Sequence, residues 1–150
     1  MRTLVLTILS FAAVLNVGFE QKTPKPGVEV ALNREVPLHL RVTLTSGAAN
    51  EVKLYRSELP WGNRYSMVFA AAKPNSEVLD LVYPVDDPGP TQITMKAGDT
   101  LTGEIDLQYV IKDLSILKKS DALLFWAYKT PAALHLPRWT GGLVIIPQQK

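Results

Sequence analysis

Side chains of opposite character alternate one by one from Leu38 to Thr45. Leu38, Leu40, Val42 and Leu44 fall on one side; His39, Arg41, Thr43 and Thr45 fall on the other. Only an extended chain sends successive side chains to opposite faces, so a period of two predicts a strand with one face buried. The same grammar recurs along the chain. Val52–Arg56 sets Val52, Leu54 and Arg56 against Lys53 and Tyr55, and Tyr65–Ala72 turns Met67, Phe69 and Ala71 inward. Val78–Tyr83 and Gln92–Met95 follow, and Leu101, Ile105 and Leu107 then alternate with Thr102, Glu104 and Asp106. Ala122–Tyr128 is the most apolar segment and is expected to be a central strand; Leu143–Ile146 is the last.

Turn chemistry separates these runs. Ser46-Gly47, Pro60 with Gly62, Lys73-Pro74-Asn75-Ser76, Lys96-Ala97-Gly98-Asp99 and Gly141-Gly142 each interrupt a pattern. Pro84, Pro88 and Pro90 exclude a regular element between Tyr83 and Thr91. Gly103, in the middle of a strand, predicts a bulge or a close backbone approach. Asp113–Ser120 reads as a short helical turn, and outside the N-terminal run no segment has the length and 3.6 period of a helix. Seven to nine short strands with such spacing define an all-β fold, expected to be an immunoglobulin-like antiparallel β-sandwich.

The N-terminus has a different logic. Arg2 is followed by a mostly apolar run, Leu4–Val17, broken by Thr7, Ser10 and Asn16. A membrane span needs about 20 apolar residues, so the run reads as a secretory h-region. The expected organisation is a signal peptide at 1–18, a proline-stiffened linker at 19–27 and a sandwich at 28–150. The expected destination is the periplasm or the exterior, with membrane contact only through an uncleaved signal segment. The chain has no cysteine, which excludes a lipoprotein anchor, disulfides, thiol catalysis and zinc–cysteine sites. At this length the core can hold the fold alone. No Asn-x-Ser/Thr acceptor is present. Formal net charge is +2, or +1 once residues 1–18 with Arg2 are removed, and the charges are intermixed. No basic block exists to form a nucleic-acid footprint.

The run Ile93-Thr-Met-Lys-Ala-Gly-Asp-Thr-Leu-Thr-Gly-Glu-Ile-Asp-Leu107 resembles a strand-and-turn motif of small immunoglobulin-like modules. Such modules precede the catalytic domain of deuterolysin-type metalloendopeptidases, and a related run occurs in the Bacillus intracellular proteinase inhibitor family. Leu40–Ser46 is similar to their first core strand. The likeness spans about residues 36–128 and implies a fold; the inhibitor family adds proteinase inhibition as an alternative function. Proteolysis does not carry over, because neither His39 nor His135 opens a His-Glu-x-x-His motif.

Catalytic motifs are otherwise missing. There is no Gly-x-Ser-x-Gly elbow, phosphate-cradling glycine loop or dinucleotide fingerprint, and no cofactor is expected. His39, on a polar strand face, and His135, in a proline-bounded loop, read as unrelated surface residues. Asp86, Asp87, Asp99, Glu104 and Asp106 are the acid-rich positions; oxygen ligands of this type hold calcium, and the same residues are ordinary turn formers. Glu104 and Asp106 share a face roughly 7 Å apart. That is near the spacing used in glycoside hydrolysis, which makes a carboxylate hydrolase a further alternative.

The segment Leu59-Pro-Trp-Gly-Asn-Arg-Tyr65 concentrates binding chemistry between two strands. Trp61, Arg64 and Tyr65 are of the types that dominate recognition hot spots. Trp61 equally suits a cap over the open end of the core. Arg138 and Trp139 form a second candidate. Trp126 and Tyr128 share a strand face suited to the core; were it outward, it would be an aromatic platform. The expected function is a non-enzymatic exported domain that binds a protein, peptide or glycan through loops or an open edge strand.

Overall fold

The computed structural model describes residues 24–82 and 89–149. The expected signal peptide, the linker up to Thr23, Tyr83, Asp86 and Asp87 lie outside the described residues. Within them the chain is all-β and every strand pairing is antiparallel. The strands are β1 (Gly27–Leu32), β2 (His39–Thr45), β3 (Val52–Tyr55), β4 (Met67–Ala72), β5 (Gln92–Met95), β6 (Thr100–Asp106), β7 (Ala122–Lys129) and β8 (Trp139–Ile146). They form three sheets: β1-β2-β6, β4-β7-β8, and the ribbon β3-β5.

The alternation of β2 does what a period of two requires. Leu40, Val42 and Leu44 are fully buried, while Arg41 between them is exposed. They join Leu124, Trp126 and Tyr128 of β7 and Val144 and Ile146 of β8 in one core, so the two larger sheets enclose it as in a sandwich. Each aliphatic side chain sealed there contributes about 1.5–3 kcal/mol. Strand β7 is central in its sheet, and Trp126 and Tyr128 point inward.

Four expectations change. Leu38 lies just before β2, in a left-handed conformation at φ 58°, rather than in the strand. The linker gives way to β1 at Gly27, which already pairs with Thr45. Gly141-Gly142 does not bound the last strand but lies inside it: Trp126 covers Gly142 so closely that an added Cβ would sit 3.0 Å from its Nε1. Of the expected strand Val78–Tyr83, the described residues Val78–Val82 form none. Their backbone divides between neighbours, with Leu79 N–H donating to the Ala71 carbonyl (2.8 Å) and Val82 N–H to Val110 (3.0 Å). Only isolated bridges remain, at Val78 and Leu81.

The short helical turn expected after Asp113 is present at Leu114–Lys118, with the Asp113 carboxylate accepting from Ser115 N–H at 2.9 Å. Strand β1 runs beside β8 and closes one flank of the sandwich. On the opposite flank, the outermost strands β6 and β4 border a hollow.

Candidate functional site

The loop between β3 and β4 shapes that hollow, and its rigidity comes from short-range bonds. Residues Arg56–Glu58 make one 3-10 turn, and the Glu58 carboxylate reaches back to Tyr55 N–H at 2.7 Å. Leu59 and Pro60 are buried. Gly62 N–H then donates to the Leu59 carbonyl (2.9 Å) in a bend so tight that a Cβ would lie 1.7 Å from the Arg56 oxygen. Asn63 ties the loop's ends together: its Nδ2 donates to the Ser57 carbonyl at 2.7 Å, and its Oδ1 accepts from Tyr65 N–H at 2.6 Å. Ser66 Oγ donates to the same Ser57 carbonyl at 2.8 Å. From the core, the Tyr128 hydroxyl donates to the Glu58 carbonyl. Burial, and then the nearby Glu58 carboxylate, hold that phenol well above its ordinary range, so it stays a donor.

This frame lays the Trp61 ring flat on β6. A Cβ at Gly103 would come within 2.1 Å of the ring, so the mid-strand glycine serves a close approach. Trp61 is half-buried and packs against the core, as a cap on its open flank. The Arg64 guanidinium stacks over the Tyr109 ring at 4.3 Å, a cation–π geometry. Tyr65 is 59% exposed at the rim. Together with Met67, Phe69, Leu81, Ile105 and Val110 these side chains enclose about 400 Å³. Apolar walls with a few polar groups at the mouth are the usual make-up of a ligand site of this size.

Of the five residues singled out from the sequence, Trp61, Arg64 and Tyr65 converge on this cavity. Arg138 lines a second hollow with Tyr65, Lys129, Thr130 and Leu136. Trp139 lines neither; it opens β8 and is 54% exposed. Tyr109 was not among the five. It follows β6 in a 3-10 turn, Leu107–Tyr109, where the alternation ends and carries no cue that Arg64 rests on it.

Glu104 and Asp106 border the cavity, but their carboxylates already hold structural partners. Glu104 accepts from Asn33 Nδ2 at 2.6 Å. Asp106 caps the 3-10 turn, accepting from Gln108 N–H at 2.9 Å and from the Gln108 side chain. His39 pairs with Asp106 across β2 and β6, its Nε2 3.8 Å away, while its Nδ1 donates to the Pro37 carbonyl. His135 lies on another element, exposed, at the left-handed end of the turn Ala132–Leu134. Asp99 closes the β5–β6 turn by accepting from Lys96 N–H at 2.7 Å. Among the described residues, no three His, Asp or Glu side chains gather where a metal ion could be held.

No protein-family model matches this chain, and no curated protein is significantly similar to it.

Proposed function

We propose that this protein is an exported, non-enzymatic recognition domain that binds an extended peptide segment of a protein partner at the cavity beside Trp61. The observation that carries the reading is the convergence of Trp61, Tyr65 and Arg64-on-Tyr109 around an apolar cavity, on a loop fixed by its own hydrogen bonds. A fixed loop loses little freedom on binding, which leaves more of the contact energy as affinity. Among the described residues no strand pairs with the outer edge of Met67–Ala70, which borders the cavity. A peptide added there gains main-chain hydrogen bonds, and every second side chain can enter the cavity. Walls of Met67, Phe69, Leu81 and Ile105 favour an apolar anchor over a sugar.

The sheet orders support an immunoglobulin-like reading of the sandwich. With β3 as an insertion, β1-β2-β6 corresponds to strands A, B and E, and β4-β7-β8 to C, F and G. Export rests on the basic start and apolar run of residues 1–18.

The test is fluorescence anisotropy of the purified protein against a panel of extended peptides, each with a single aliphatic or aromatic anchor. Micromolar binding that falls at least tenfold in Tyr109→Ala is expected. Absence of binding across the panel, together with hits on a glycan array, would replace the peptide reading with a glycan one.

A further inference from the structure

We infer that the outer face of the β4-β7-β8 sheet is a two-fold interface between two copies of this chain. On each strand the residues opposite the core are apolar. They are Val68 and Ala70 on β4, Leu123, Phe125 and Ala127 on β7, and Leu143 and Ile145 on β8. Val68 is 59% exposed, Phe125 46%, Leu143 49% and Ile145 57%. Their register makes one continuous patch, since Phe125 stands between Ala70 on one neighbour and Leu143 on the other. A water-facing sheet surface ordinarily alternates to polar residues, so three adjacent strands breaking that rule mark a covered face.

A second copy fits this face better than other occupants. Together with Trp139 at its corner, the patch offers roughly 500 Å² per chain, and pairing two copies buries about 1,000 Å², the size at which a specific interface begins. The relief is self-complementary. Phe125, Leu143 and Ile145 stand high, and the small side chains Ala70 and Ala127 lie low beside them. A two-fold axis near Phe125 sets the high side chains of one copy over the low strip of the other. The one charge on these strands' outward positions, Lys129, sits at the end of β7, outside the apolar centre of the patch, where its ammonium stays in water and repulsion between copies is screened. A glycan would find few hydrogen-bonding groups, and an anionic membrane only one cation.

Sedimentation equilibrium of the purified chain tests this, with Phe125→Lys at the centre of the face, Ile145→Lys on the neighbouring strand, and Thr102→Lys on the other sheet as a control. Urea unfolding of each variant checks folding. The wild type and Thr102→Lys are expected to reach twice the mass of one chain by about 100 µM; each folded face variant is expected to dissociate about 100-fold more readily. The apolar N-terminal run is common to every arm. A doubled mass that survives both face variants therefore belongs to another surface and overturns the inference. So does a wild type that stays at one chain's mass, including one that instead binds phosphatidylcholine vesicles.

Discussion

Gly103→Ala is the sharpest probe of how the Trp61 loop is seated. The added methyl would lie 2.1–2.3 Å from three ring atoms of Trp61, where ordinary contact needs 3.4 Å or more. The ring must therefore retreat by roughly 1.3 Å or leave the sheet, because van der Waals repulsion rises steeply at such distances while the strand backbone of β6 is pinned to β2. Losing the half-buried ring removes about 100 Å² of apolar cover, or about 2.5 kcal/mol at 25 cal/mol per Å². In a Trp61→Ala background the same substitution meets no ring, and replacing a strand glycine is there expected to be neutral or stabilising by about 0.5 kcal/mol. The double-mutant cycle, read by urea unfolding, should thus show a coupling near 2–3 kcal/mol, with peptide affinity lost in Gly103→Ala. Equal costs of Gly103→Ala in both backgrounds would refute the reasoning.

Tyr128→Phe removes the donor to the Glu58 carbonyl and is expected to cost about 1 kcal/mol in urea unfolding at neutral pH. Because the folded-state phenol titrates above its unfolded value, wild-type stability should fall as pH rises above about 10, and Tyr128→Phe should flatten that slope. Thr130 Oγ1 is buried without a hydrogen-bond partner among the described residues, so Thr130→Val should stabilise by about 1 kcal/mol, visible as a raised urea midpoint. Glu77 is held below the usual carboxylate range by its hydrogen bond to, and the charge of, Lys73, and Asp113 by its bonds from Ser115. Both contributions are complete above about pH 4.5 and fade as pH falls through the lowered values, so Glu77→Gln should reduce the acid slope of the unfolding midpoint.

The strands that were legible in the sequence were those with one wet face. Leu40, Val42 and Leu44 of β2 and Leu101 and Ile105 of β6 alternate with polar neighbours on the other face, and a period of two is a local signal. Strand β8 was read short because Gly141-Gly142 has turn chemistry, whereas in space those glycines make room for Trp126. The apolar character of β7 announced a central strand but hid that Phe125 faces outward, since both faces of the strand are apolar. Trp61, Arg64 and Tyr65 were legible as a cluster because they are sequence neighbours. That Tyr109 supports Arg64, and that Arg138 and Trp139 stand apart from them, depends on β-strand pairings between residues far apart in sequence, which no local pattern encodes.

Recognition at the Trp61 cavity requires a bound peptide to sit against the β3–β4 loop and β6. Backbone amide chemical shifts, followed as the best peptide of the panel is titrated in, locate it directly. The largest changes are expected in residues 61–69 and 104–110, around the Trp61 cavity. Changes concentrated instead at 130–138, or on the outer face around Phe125 and Leu143, would contradict that placement.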